Sequence, residues 1–327
     1  MKILKNKPPF WNRIGIINVL LLPFSLLWWL YYRLNCSLNR PYKSSVPVVC
    51  IGNINIGGSH KTPTTMAIAR YLQAAGKKVA ILTRGYGKRQ STTGVIVADP
   101  QVHTADDVGD EALLLSHVAP TYVCANRALS ARAATADGTE ILLMDDGMQN
   151  NTLHKDYTIM MITAGNQFGN GLLLPSGPLR QTIKNGCSKA NAFLLINAAS
   201  PIIISKYSND KPLYVAQLQV KNPEIIRNQK CVGVCAIADP DKFWHSLETN
   251  GAKLLTKLAF PDHHRFTEME IANIFTIAGK LQAQVVTTSK DIVKFPKDYR
   301  AKIKVLELEV ILPIELMENI MKLLPAQ

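Results

Sequence analysis

Residues 51–63 read Ile-Gly-Asn-Ile-Asn-Ile-Gly-Gly-Ser-His-Lys-Thr-Pro. They follow the apolar run 47–51 and precede residues 63–75, whose apolar side chains recur at helical spacing. A strand that passes through a glycine-rich turn into a helix opening on Lys-Thr is the setting of a phosphate-binding loop. In that setting the backbone N–H groups of Gly57, Gly58, Ser59 and His60, with the helix N-terminus, face a nucleotide's phosphates. Lys61 would bridge the β- and γ-phosphates of ATP, and the Thr62 hydroxyl would reach Mg²⁺. Pro63 falls in the first helical turn, where a missing N–H costs little. The loop departs from the general pattern twice: Asn55 stands at the first glycine position, and His60 at the glycine before the lysine. An ordinary glycine-rich turn between strand and helix is the plainer alternative.

A second segment strengthens the phosphate reading. Four apolar residues, 141–144, run into Asp145-Asp146-Gly147-Met148-Gln149-Asn150. A buried strand ending in Asp is how P-loop proteins hold Mg²⁺. Adjacent carboxylates also repel one another unless a cation lies beside them. Further apolar runs at 79–82, 122–124 and 159–162 alternate with helix-like stretches. Strands separated by helices predict an α/β fold: a P-loop-containing, mostly parallel sheet flanked by helices. Residues 205–218 are mixed and polar and read as a linker. After it come strand-like runs at 232–236, 285–288 and 305–311, and a helix to about Leu281 opened by a Thr267/Glu270 capping box. The expected domains are therefore a membrane-associated helix over 1–35, a nucleotide-binding domain over 36–210, and a smaller α/β domain over 211–327 that closes the cleft.

The N-terminal helix is expected because residues 14–32 carry no charge and are rich in Leu, Ile and Trp. Such a run is just long enough to cross a hydrocarbon layer of ~30 Å. Lys2, Lys5, Lys7 and Arg13 precede it, and Arg33, Arg40 and Lys43 follow, while Trp28, Trp29, Tyr31 and Tyr32 resemble an interfacial belt. Pro23 would kink a spanning helix, so insertion into one leaflet is equally consistent. No Asp or Glu occurs before Asp99, against fourteen Lys and Arg, so the basic end points to an anionic surface or phosphorylated ligand. No nucleic-acid-binding motif accompanies it. The six cysteines show no CxxC spacing and read as free thiols of a reducing compartment.

Other positions carry weaker readings on their own. Asp110-Glu111 opens an apolar helix, where acidic residues favour the helix dipole. His263 and His264 lie in Phe-Pro-Asp-His-His-Arg-Phe, a loop that suits a base-partner histidine or a plain surface. Arg84 and Tyr86 follow a strand and could face a cleft. Thr288-Ser289-Lys290-Asp291 lacks the Asn of a guanine-reading motif, which argues against a GTPase.

In order along the chain, GNINIGGSHKTP, ILTRGYGKR, DVGDEALLL, NRALSARAA, LLMDDGMQN, LLLPSGPLR, FPDHHRFT and TTSKDIVKF resemble the tetraacyldisaccharide 4′-kinase family. The resemblance implies transfer of the ATP γ-phosphate to the 4′-hydroxyl of a tetraacylated glucosamine disaccharide 1-phosphate, a lipid A precursor, making lipid IVA. It implies Asp110 as general base paired with His263, Lys61 and Thr62 on phosphate and Mg²⁺, and Asp145 and Asp146 in the Mg²⁺ shell. Glu111, Arg84, Tyr86, Arg127, Gln149 and Asn150 would line the cleft. It further implies the cytoplasmic face of the bacterial inner membrane and a glycolipid substrate, with no nucleic acid. The chain departs from the family at His60, where the family has Gly, and at Asn150, where it usually has His. His60 motivates the alternative of a catalytically weakened nucleotide- or lipid-binding paralogue.

Overall fold

The computed structural model describes residues 8–38, 40–57, 60–89, 94–163, 168–197, 207 and 210–325. Gly58 and Ser59 of the expected phosphate loop lie outside the described residues. Among the described residues two sheets form. The larger has nine strands: β1 (Val48–Gly52), β2 (Val79–Thr83), β3 (Ile96–Ala98), β4 (Thr121–Val123), β5 (Ile141–Asp145), β6 (Tyr157–Thr163), β7 (Ala192–Ile196), β8 (Leu213–Val220) and β13 (Leu308–Ile311). Their spatial order is β13-β8-β7-β6-β1-β5-β2-β4-β3, parallel except for the edge strands β3 and β13. Strands β1, β2, β5 and β7 are buried along their whole length, as expected when helices cover both faces of a parallel sheet. Alternate side chains feed two apolar cores: Val48, Cys50, Leu142 and Met144 on one face, Val49, Ile51, Ile141 and Leu143 on the other.

The smaller sheet is fully parallel, in the order β10 (Lys253–Ala259), β9 (Lys230–Cys235), β11 (Gln284–Thr288), β12 (Lys304–Leu306). The chain crosses to it after β8 and returns for β13. Two expectations change here. Residues 213–218, read as linker, belong to β8, which pairs with both β7 and β13. The run 305–311 is not one strand: it changes sheets at Glu307. Both differences come from strand partners that a local pattern does not contain: β8 alternates polar and apolar residues and is a strand because β7 and β13 flank it, and 305–311 divides because its two halves pair with different neighbours.

The N-terminal helix α1 spans Ile16–Leu38 and continues through Pro23. It lies along the body and does not stand away from it. Asn18 and Ser25 are buried: Asn18 Nδ2 donates to the Ser176 carbonyl (2.7 Å), and the Ser25 hydroxyl donates to the Leu173 carbonyl (2.9 Å). Trp28 Nε1 donates to the Arg180 carbonyl (2.9 Å), and the Tyr32 hydroxyl to Gln181 Oε1 (2.6 Å). Positions 18, 25, 28 and 32 share one helical face. They extend the docking over about 21 Å at 1.5 Å per residue. The opposite face exposes Ile16, Leu20, Phe24, Leu27, Tyr31 and Leu34.

Candidate active site

The larger sheet positions the first half of the site. β1 ends at Gly52, and the next helix, α2, spans Lys61–Ala74. The parallel register pairs Ile51 with Asp145, so the carboxylate at the end of β5 lies beside the loop that leaves β1. Ligands of open α/β sheets bind at such carboxyl edges. Thr62 and Thr65, on α2, donate hydroxyl hydrogen bonds to Asp145 Oδ2 (3.1 Å) and Oδ1 (3.0 Å). Lys61 Nζ lies 3.3 Å from Asn53 Oδ1 and 3.6 Å from Asp146 Oδ1.

The two carboxylates are held differently. Burial pushes Asp145 up to about 7, and the Glu111 and Asp146 charges push the same way. Burial also opposes ionisation of Asp146, but Lys61 and Arg180 overcome it and hold that carboxyl down near 2. Arg180 Nη1 donates to both Asp146 oxygens at 3.0 Å and to Gln149 Oε1 at 3.2 Å. Gln149 in turn donates to the Asn53 carbonyl (2.8 Å). The Arg180 backbone N–H donates to the Ile54 carbonyl (2.7 Å). The loop that docks on α1 thus also braces the start of the phosphate loop.

Two residues of this half sit in left-handed backbone: His60 (φ 56°) and Asp146 (φ 49°). That region suits glycine and strains other residues. The glycine that phosphate loops place before the lysine has a conformational reason, which His60 meets at a cost. Burial, with Lys242 adding, lowers the imidazole to about 4, so it is neutral at physiological pH.

The second half spans both sheets. Asp110 is the first residue of α4 (Asp110–Ser116), which follows the short helix α3 (Ala105–Val108) across Gly109, and is fully buried. Gly109 before it has φ 92°, and a Cβ there would collide with the Tyr86 carbonyl, so the 84–87 loop folds directly against the head of α4. His263, at φ 59°, extends from the smaller lobe. Its Nδ1 lies 3.0 Å from Asp110 Oδ2 and 3.2 Å from Oδ1. The Tyr86 ring meets the imidazole edge-on at 5.0 Å. Lys290 Nζ lies 3.4 Å from His263 Nε2, 3.4 Å from Glu111 Oε1 and 3.5 Å from Asp262 Oδ1. Lys294, also buried, lies 3.7 Å from Asp110 and 2.7 Å from Asp291. Burial works against ionised Asp110, but the His263 hydrogen bond and the Lys290 and Lys294 charges win, leaving its carboxyl well below the usual range. Val293 packs with Val108, Ala112 and Leu113, joining the lobes beside this pair.

Of the remaining expected residues, Arg127 is buried, and burial lowers it to about 10 despite Asp146 nearby. Arg84 and Tyr86 are exposed at the rim, and Glu111 is half-buried between Lys290 and the acid pair. The Asn150 amide is engaged in its own turn, accepting from the Thr152 hydroxyl (2.9 Å) and donating to the Ala125 carbonyl (3.4 Å). The structure adds Lys290, Lys294 and Arg180 to the site. All three stand in segments that carry the resemblance, Arg180 at the end of LLLPSGPLR and the two lysines in TTSKDIVKF, where a spacing of four puts both on one helical face.

This arrangement of loop, acid pair and cross-lobe dyad can be compared with known proteins. The profile of a family described as tetraacyldisaccharide-1-P 4′-kinase matches residues 17–325. The chain belongs to that family. A tetraacyldisaccharide 4′-kinase of Rhizobium meliloti (strain 1021) is 39% identical over 316 residues, covering 93% of this chain and 90% of the relative. One of Paramagnetospirillum magneticum is 38% identical over 306 residues, covering 93% of each. The crystal structure of the "apo" form of LpxK from Aquifex aeolicus in complex with ATP superposes with a TM-score of 0.77 at 23% identity, covering 95% of this chain and all of the other. That likeness extends the fold over 95% of this chain.

Proposed function

We propose that the chain transfers the γ-phosphoryl group of ATP to the 4′-hydroxyl of tetraacyldisaccharide 1-phosphate, giving lipid IVA and ADP. The observation that carries this reading is the hydrogen bonding of Thr62 and Thr65 to Asp145, which joins the phosphate loop to the acid pair. Family membership supplies the acceptor.

Phosphoryl transfer needs positioning and charge neutralisation more than covalent help from the protein. Backbone N–H groups of Gly57, Gly58, Ser59 and His60 would face the phosphates, with Lys61 along the β–γ bridge. The acid pair fits Mg²⁺: a buried carboxylate whose neighbours oppose its ionisation gains from a divalent cation, and Mg²⁺ sites use one or two carboxylates. Thr62, Asp145 and Asp146 would hold the ion, which neutralises charge on the phosphates when bound. Asp110 is ionised at neutral pH and can take the 4′-hydroxyl proton as the sugar oxygen bonds to the γ-phosphorus and the bond to ADP breaks. His263 orients that carboxylate. Arg84, Tyr86, Glu111, Arg127, Gln149 and Asn150 would line the acceptor side of the cleft.

In this reading residues 1–35 anchor the enzyme, 36–210 bind nucleotide and 211–327 close the cleft, with β8 and β13 as the seam. Helix α1 lies in the plane of the inner membrane's cytoplasmic face. Its docking along some 21 Å would otherwise drag polar protein into hydrocarbon. The test is label transfer from γ-labelled ATP in detergent with Mg²⁺. Label should reach the 4′ position only when the disaccharide 1-phosphate is present; release of inorganic phosphate with an unlabelled acceptor overturns the reading.

A further inference from the structure

Behind the turn that follows β5 lies a cavity of about 410 Å³ between the C-terminal end of α1 and the start of β6. Cys36, Asn151, His154, Lys155 and Lys189 line it, over an apolar floor of Met148 and Leu153. Lys155 Nζ donates to the Asn150 carbonyl, and Lys189 Nζ lies 3.0 Å from the Tyr32 hydroxyl and 3.7 Å from Cys36 Sγ. Neither ammonium has a carboxylate within ion-pair distance among the described residues; Asp156, next to Lys155 in sequence, pairs with Lys43 and lies 3.7 Å from His154.

Burial lowers Lys155, and the charges of Lys189 and Arg127 push the same way. Cations in mutual reach without a counter-charge are stabilised by an anion brought among them. Lysine offers a compact charge with three donors, suited to the several acceptors of a phosphate. Met148, in the cavity floor, also lies against Gly52 at the end of β1, so the cavity adjoins the strand that leads into the phosphate loop. Asn151, in the same turn as the acid pair, lines the cavity, and the Asn150 carbonyl accepts from Lys155.

We propose that this cavity binds the anomeric phosphate of the acceptor glycolipid. The inference rests on the function proposed above. A disaccharide 1-phosphate carries its 4′-hydroxyl and its phosphate on different rings, so one group can enter the cleft while the other sits in a pocket behind its wall. The pocket opens beside the end of α1, whose apolar face would place it at the lipid surface.

The test compares disaccharide 1-phosphate with the same acceptor bearing a free anomeric hydroxyl, in wild type, Lys155→Met/Lys189→Met and Lys155→Arg/Lys189→Arg. The methionine variant should raise the KM for the phosphorylated acceptor by about tenfold or more, as expected for lost charge-assisted hydrogen bonds. It should erase the preference between acceptors and leave the KM for ATP in place; the arginine variant should keep the preference. Binding of a 4′-deoxy disaccharide 1-phosphate without ATP, followed by calorimetry, separates this site from the kinase reading. If no acceptor turns over but phosphate-dependent binding is present and lost in the methionine variant, the pocket stands and the kinase reading falls. If the methionine variant keeps the wild-type preference, the pocket is not the phosphate site. A variant that keeps the preference but no longer binds phosphatidylglycerol vesicles would show a bulk-lipid phosphate there, which also overturns the proposal.

Discussion

His263 Nδ1 lies 3.0 Å from Asp110 Oδ2, although 153 residues separate them and they belong to different lobes. Lys290 sits 3.4 Å from the other ring nitrogen. Glu111, Asp262 and Asp110 hold Lys290 protonated against its burial, so its ammonium can only donate. Nε2 must then offer its lone pair and Nδ1 must carry the proton toward Asp110. Lys290→Met should let the ring populate both tautomers, visible in the ¹⁵N shifts of His263. It should lower kcat roughly tenfold, as for loss of an orienting partner, with the KM for ATP little changed. An unaltered tautomer balance would remove Lys290 from the site.

Asp110→Asn keeps the shape and removes the proton acceptor. It should lower kcat by about 10²–10⁴ while ATP binding persists. Rapid-quench measurement of the chemical step decides; near wild-type turnover refutes Asp110 as base.

The same carboxylate should shape acid stability. Its folded pKa is depressed, so its stabilisation is full above the unfolded value of about 3.9 and disappears as pH falls below that. Melting curves of wild type and Asp110→Asn should therefore differ more at pH 6 than at pH 3. A constant gap would mean that His263 and the two lysines do not stabilise the ionised form.

His60 invites a paired substitution. Both His60→Gly and His60→Ala remove the imidazole, and only alanine keeps the left-handed strain at φ 56°. The glycine variant should be the more stable by about 1 kcal/mol in urea titration. Equal midpoints would show that the backbone at this position is not left-handed.

The two faces of α1 should answer to different assays. Asn18→Leu removes a buried amide that donates to the Ser176 and Phe10 carbonyls and accepts from the Gly15 N–H, and should cost about 1–3 kcal/mol of stability. Leu20→Asp with Leu27→Asp, on the exposed face, should leave melting unchanged and weaken partition onto lipid vesicles at least tenfold, each leucine losing about 2 kcal/mol of burial. If the exposed-face pair binds vesicles as wild type does, α1 is not the anchor.

Sequence alone determined whatever depends on neighbours along the chain. The strand, glycine-rich turn and Lys-Thr helix start at residues 51–63, the strand ending in Asp145-Asp146, and the uncharged run at the N-terminus are local patterns. Hydrophobic periodicity, turn chemistry and covalent order read them without knowledge of the rest. Tertiary structure alone decided what depends on distant partners. It made residues 213–218 a strand by supplying β7 and β13, and split 305–311 between two sheets. It laid α1 along the body through side chains that pattern reads only as membrane-compatible. It also brought Lys290 and Lys294 from beyond β11 to the Asp110–His263 pair, and with them the charge balance that keeps a buried carboxylate ionised. An electrostatic environment is a sum over groups close in space, and a chain written in one dimension does not contain those distances.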